Sequence, residues 1–249
     1  DSIFNYVAEK IPDHIICDGK VIRDSLKKVV RQRASTVLNG IKINGLCREA
    51  AAGLRTRQGL GIPANAYVIG NMARIIPWKG QGFLLNVFAK YAELNQNSYL
   101  LLVGSPLFEN DKYFKYLMQL IDEYGLRKRV IMPGYCSNLK EIFSAIDFFI
   151  YPSLEKDTSP LALLSAISSG LPVAVTNIKS LKEITDLCPA LDVFDSDDRG
   201  NLFSLMEKYV DKGIRDVNGR KNREAGKMYF DIATHSDKIM KILNLNFSG

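Results

Sequence analysis

From residue 67 onward the chain alternates short, unbroken apolar runs with longer segments of helical periodicity. The runs cover residues 67–73 (YVIGNMA), 99–103 (YLLLV), 130–132, 148–151 (FFIY), 173–176 and, more weakly, 191–194. Helical patterns lie between them at 80–94, 110–124, 137–145, 160–169 and 180–185, and three more at 198–211, 217–231 and 236–245 close the chain. A strand without polar alternation is buried on both faces, and strands joined through helices pair in parallel. The pattern therefore predicts an α/β domain with a doubly wound parallel sheet. Ligands of such sheets sit at the carboxyl ends of the strands, which makes the residues just after each run the ones to inspect.

The first residues read differently. Residues 14–18 and 35–38 look like strands on either side of a basic amphipathic helix at 20–31, and Asn39-Gly40 is a turn signal. Two strands and one helix cannot bury a sheet of their own. A helix at 47–57, ended by Gly59, Gly61 and Pro63, leads into the alternating region.

Residues 157–176 (DTSPLALLSAISSGLPVAVT) form the densest signal. Ser159 suits an N-cap and Pro160 the first helical position. The helix body is apolar, with Ser165, Ser168 and Ser169 along one edge, and Gly170 supplies the stop. Free N–H groups of Leu161 and Ala162 at its start would attract an anion.

At 249 residues and 47% hydrophobic, the chain can bury a full core. No apolar run approaches the roughly 20 residues that cross a bilayer, and the first residues lack the charged-then-apolar pattern of a secretory signal. The first residue is Asp, so a processed or trimmed product is expected. Four scattered cysteines without C-x-x-C pairs fit a reduced, cytoplasmic protein and offer no zinc site. The net charge is +6, and residues 1–60 carry eleven Lys or Arg against six acids. A solvated helix face is one account of this excess, and contact with a membrane surface or a partner is the other. Nucleic-acid binding is not expected, because no recognised module accompanies the charge.

The strand ends carry the candidate chemistry. After the first run, Arg74 and Lys79 flank a loop that leads into a helix, a suitable place for a phosphate or diphosphate. Gly104 follows the second run, where a ligand could approach the backbone, and Tyr135 follows the third, where an aromatic ring and backbone groups could meet a base. Asp157, before the helix start, could accept from ligand hydroxyls. Ordinary surface charge, turn geometry and helix capping would account for each of these singly. His14 and His235, the latter placed just before an N-cap Ser236, have no nucleophile or carboxylate beside them and read as structural. No G-x-G-x-x-G or G-x-x-x-x-G-K-[ST] occurs, so a redox dinucleotide or a P-loop triphosphate is unsupported, as is a metal site.

The order ARIIPWKG, LLLVG, VIMPGYCSNLKEIFSAIDFFIYPS, DTSPLALLSAISSGLPVAVT and LKEI resembles the C-terminal domain of retaining glycosyltransferases of the GT-B fold, the nucleotide-sugar-dependent family with two glutamates separated by seven residues. The resemblance covers about residues 35–247. It implies a Rossmann-like, donor-binding domain at 46–249, with 1–45 as the remnant of an N-terminal, acceptor-binding domain and its linker. It further implies transfer of a sugar from a nucleoside diphosphate sugar to a glycan or lipid-linked acceptor, with retention and without a metal or other cofactor. Arg74 and Lys79 match the residues that hold the donor diphosphate, Ser159 to Ala162 match the phosphate-facing helix start, and Tyr135 matches the base-binding turn. Asp157 falls where the first glutamate stands, one methylene shorter; Ser165 falls where the second, ribose-holding glutamate stands. Loss of a charged hydrogen bond of roughly 1.5–3 kcal/mol at Ser165 would weaken donor binding about ten- to a hundredfold. A degenerate, non-catalytic domain that binds a nucleotide or a partner is therefore the alternative, with a sugar-nucleotide epimerase behind it. The isolated segment is expected to be inactive without the other domain.

Overall fold

The computed structural model describes residues 6–7, 10, 12–106, 111–155 and 157–247, without the side chains of 245–247. Residue 110, the expected start of one helix, and the first residues of the expected remnant lie outside that set. Among the described residues the strands form two sheets. In the smaller, β1 (Ile15–Cys17) pairs in parallel with β2 (Ala34–Thr36). The single helix expected between them is two, α1 (Lys20–Ser25) and α2 (Lys28–Arg31), because Leu26 turns extended (φ −71°, ψ 149°). That turn buries the Leu26 side chain with Cys17 and Val30 in a small apolar cluster. Arg31 and Arg33 of the basic segment are turned back onto backbone carbonyls of Asp24, Leu26 and Pro12.

Helix α3 (Ala50–Gly59) opens the main domain. The elements that follow are β3 (Tyr67–Met72), a tight turn at Pro77–Lys79, α4 (Gln81–Leu94), β4 (Ser98–Val103), α5 (Lys112–Glu123), β5 (Val130–Gly134), α6 (Leu139–Ala145) and β6 (Phe148–Tyr151). Then come α7 (Leu161–Ser169), β7 (Val173–Thr176), α8 (Lys182–Leu187), β8 (Asp192–Phe194), α9 (Arg199–Lys208), α10 (Lys212–Tyr229) and α11 (Ile232–Phe247). All pairings are parallel, in the order β5-β4-β3-β6-β7-β8. The order reverses between β3 and β6, which opens a crevice at their carboxyl ends.

The unbroken apolar runs explain the two-sided burial. Ile69, Leu100, Leu102, Phe148 and Ile150 face one core with Leu84, Phe88, Leu117 and Met206 from α4, α5 and α9. Their neighbours Val68, Leu101, Val103, Phe149 and Val173 face the other, with Phe143, Leu163, Leu164 and Ile167 from α6 and α7. Side chains alternate across a strand, so a run without polar residues fills both layers. Each fully buried aliphatic or aromatic side chain contributes about 1.5–3 kcal/mol.

The last helix starts earlier than its pattern suggested. The Asp231 carboxylate accepts the N–H of Ala233 at 2.9 Å, so α11 begins at Ile232, and His235 lies inside it rather than before an N-cap. Its Nδ1 meets the Leu38 carbonyl oxygen at 2.8 Å, while His14 Nε2 meets Ser35 Oγ at 2.9 Å. Both histidines thus act in the framework. Ile41 bridges Asp231, and α11 lies along the segment that joins the two sheets.

Candidate functional site

At the crevice the strand ends enclose a cavity of about 590 Å³. Arg74 comes from the end of β3, Gly104 from β4, Tyr135 from the turn after β5, and Leu161, Ala162 and Ser165 from α7. Six of the nine sequence-predicted site residues are therefore brought to one place. The Tyr135 ring is 79% exposed, and no side chain caps the first turn of α7, which leaves its N–H groups for a ligand.

Gly104 has a different reason to be glycine from the one expected. Its φ is +141°, and a Cβ there would lie 1.9 Å from the carbonyl oxygen of Ala73. Its N–H donates to the Gly134 oxygen at 2.9 Å. The residue draws the ends of β3, β4 and β5 together and so shapes the cavity floor. Arg74 is placed by its own backbone, whose carbonyl accepts from Gln81 Nε2 at 2.7 Å.

Lys79 and Asp157 do not line this cavity. They form a buried ion pair with side-chain exposures of 9% and 10%, across 78 residues of sequence. The Lys79 ammonium also donates to the Tyr151 hydroxyl at 2.7 Å and sits 4.3 Å from the centre of the Trp78 ring. Three groups converge on Asp157 Oδ2: the Lys79 ammonium, the Tyr151 hydroxyl and, at 3.1 Å, the Ser153 hydroxyl. The Asp157 N–H donates to Ser180 Oγ at 3.0 Å. Burial lowers the Lys79 pKa, against the pull of Asp157, and the charge of Arg74 adds to the lowering. Arg74 therefore stands within electrostatic reach of the pair. Burial and the Asp157 charge together push the Tyr151 phenol far above its usual range. Sequence reasoning missed Tyr151, Ser153 and Ser180; the one available signal was a hydroxyl at the end of a buried strand, since a buried phenol usually has a partner.

The helix start is also built otherwise than expected. Ser159 is not the N-cap: it is left-handed (φ +44°), and Pro160 caps a helix that begins at Leu161. The Ser159 hydroxyl accepts the Asn39 N–H at 2.7 Å, and its carbonyl accepts from Asn39 Nδ2 at 2.9 Å. Asn39 thereby ties the linker to the loop before α7, a hydrogen-bond pair that holds the strained residue in place. The serine edge is divided. Ser165 lines the cavity, whereas Ser168 and Ser169 lie fully buried, with Ser168 against Gly226 of α10.

At the amino ends of the strands lies a second cavity of about 580 Å³. Its wall holds Arg57, which binds Asp147 at 2.7 Å and the carbonyls of Ala64, Ala66 and Ala145. Asp147 also accepts the Val68 N–H at 2.8 Å. These bonds join α3 to the sheet and to the loop before β3, so this cluster is structural. Among the described residues no group of three or more His, Cys, Asp or Glu is gathered as a metal site would need. No helix of the described residues is long and apolar enough to cross a membrane.

Residues 54–187, which include all the strands of the crevice, match the family described as Glycosyl transferases group 1. The chain belongs to this family. Among curated relatives, this chain is 26% identical over 235 residues to the UDP-Gal:alpha-D-GlcNAc-diphosphoundecaprenol alpha-1,3-galactosyltransferase of Escherichia coli, covering 91% of the chain and 56% of the relative. The chain spans about half the length of the curated relatives it matches. Anabaena HepE, crystallised in complex with UDP and glucose, superposes with a TM-score of 0.89 at 20% identity over 98% of this chain and 66% of that one. The C-terminal domain of a group 1 glycosyl transferase from Francisella tularensis superposes with a TM-score of 0.67 at 19% identity, over 78% of this chain and all of that domain. The sheet is thus that of a GT-B glycosyltransferase.

Proposed function

We propose that this chain is the donor-binding portion of a glycosyltransferase that moves a sugar from a nucleoside diphosphate sugar to a glycan or lipid-linked acceptor with retention. The convergence of Arg74, Tyr135 and the uncapped start of α7 on one cavity at the sheet's switch point carries this reading. The diphosphate lies against the N–H groups of Leu161 and Ala162 and the Arg74 guanidinium. Lys79 stands behind them with two of its three N–H groups used, and the third completes the neutralisation of the leaving nucleotide. These cations do the work that a divalent metal does elsewhere. The base rests by Tyr135 and the ribose by Ser165. The donor sugar extends past Arg74, beyond the cavity lining, towards Asp157, whose carboxylate is positioned by Tyr151 and Ser153.

The segment before residue 46 belongs, on this reading, to an acceptor domain whose remainder is needed for turnover, in a cytoplasmic enzyme that touches the membrane periphery through its basic residues. A second reading, a binding domain without catalysis, is favoured by Ser165, which offers no carboxylate to the ribose. Calorimetric titration of the chain with UDP, GDP and ADP, with and without EDTA, separates the outcomes. One nucleotide should bind regardless of chelator; if none binds, the functional reading fails. Turnover by a form carrying both domains excludes the non-catalytic reading.

A further inference from the structure

A third cavity, of about 360 Å³, lies where α10 crosses the C-terminal end of α7. Two glycines about two turns apart on one face of α10 allow the crossing: a Cβ on Gly219 would stand 2.3 Å from the Gly170 oxygen, and one on Gly226 2.4 Å from Ser168 Oγ. This close approach gathers Arg215, Arg220 and Arg223 of α10 around the cavity, with Arg48 from the segment before α3. Asp216, the one carboxylate in the lining, already binds Lys212 at 3.1 Å. The nearby Asp147 is held by Arg57, with Arg215 farther off at 3.9 Å. Arg48, Arg215 and Arg223 use part of each guanidinium on backbone carbonyls, which fixes their position without neutralising their charge. Arg220 makes no hydrogen bond or ion pair among the described residues. Burial lowers the Arg48 pKa, and the charges of Arg57 and Arg215 lower it further against the pull of Asp147 and Asp216. Four arginines collected around a concave site that holds one carboxylate create a positive potential that one oxyanion relieves.

We propose that this arginine-lined cavity binds a phosphate monoester dianion, as a site distinct from the donor cavity at the other end of α7. Nine residues of helix separate the two by about 12–14 Å. The monoester is either a soluble phosphometabolite or the headgroup of a phosphatidic-acid-like lipid, since both present the same three oxygens to a guanidinium fork.

The test titrates the chain with inorganic phosphate and glycerol phosphate, and in parallel floats it with vesicles of phosphatidylcholine with or without phosphatidic acid. Binding of the soluble ions assigns a free metabolite; binding to phosphatidic-acid vesicles alone assigns a lipid headgroup; either upholds the site. Arg220→Glu should weaken the interaction about tenfold or more. The control Lys221→Glu, with the same charge change on the same helix outside the cavity, should alter it less than about twofold. Arg220→Gln repeats the reading if charge reversal lowers the melting temperature. No binding by the parent chain, equal losses in the two charge-reversal variants, or loss of phosphate binding in Arg74→Ala would each overturn the proposal.

Discussion

Replacing Asp157 with Asn keeps the side chain's size and removes the charge on which the Lys79 ammonium and the hydroxyls of Tyr151 and Ser153 converge. Lys79 is 9% exposed at its side chain, so water replaces the lost partner only in small part. Removing one member of a buried pair costs about 3–5 kcal/mol, and the residual exposure of this pair favours the lower figure, about 3 kcal/mol. For a chain of this size each kcal/mol moves the midpoint by about 2–4 °C, so Asp157→Asn should melt about 6–12 °C below the parent. Scanning calorimetry at neutral pH reads the shift. Combining Asp157→Asn with Lys79→Met removes the stranded charge, and the double variant should recover part of the loss as a coupling energy of at least about 1 kcal/mol. A fall of less than about 2 °C for Asp157→Asn, or strict additivity in the double variant, would refute the reasoning that the pair is buried and mutually dependent.

Gly219→Ala drives a Cβ to 2.3 Å from the Gly170 oxygen and should lower stability by about 1–3 kcal/mol or more, read from the urea midpoint at constant slope. Arg57→Met strands Asp147 beside the sheet and leaves three carbonyls without a donor; a loss of about 3–5 kcal/mol is expected by the same measurement. Ser165→Glu places a carboxylate at the cavity wall and, if the ribose lies there as proposed, should tighten nucleoside diphosphate binding about tenfold in calorimetry.

The sheet was legible because short β-rich apolar runs such as FFIY and YLLLV alternate with longer helical patterns, and strands joined through helices pair in parallel and are covered on both faces. The cavity was legible for the same reason, since a doubly wound sheet binds at its strand ends and Arg74, Gly104, Tyr135 and Ser165 all stand there. What could not be read depends on distant partners. The helix at 20–31 carried an unbroken amphipathic pattern, yet burying Leu26 outweighed helical continuity. Ser159 has the residue type of an N-cap, and its hydroxyl was claimed instead by Asn39 across 120 residues. The pairing of Lys79 with Asp157 likewise spans the domain, and neither residue's neighbours announce it. The reason Gly219 and Gly226 are glycine lies likewise in a distant partner, the C-terminal end of α7 that they admit beneath α10.

On the proposed reading, the cavity at the strand ends holds the diphosphate of a sugar nucleotide. Arg74 tests it most directly, because it lines the cavity while standing outside the Lys79–Asp157 pair. Calorimetric titration of the parent and of Arg74→Ala with the nucleoside diphosphate that binds best should show affinity weakened about ten- to a hundredfold, at an unchanged melting temperature. Equal affinity in the two proteins would contradict the account.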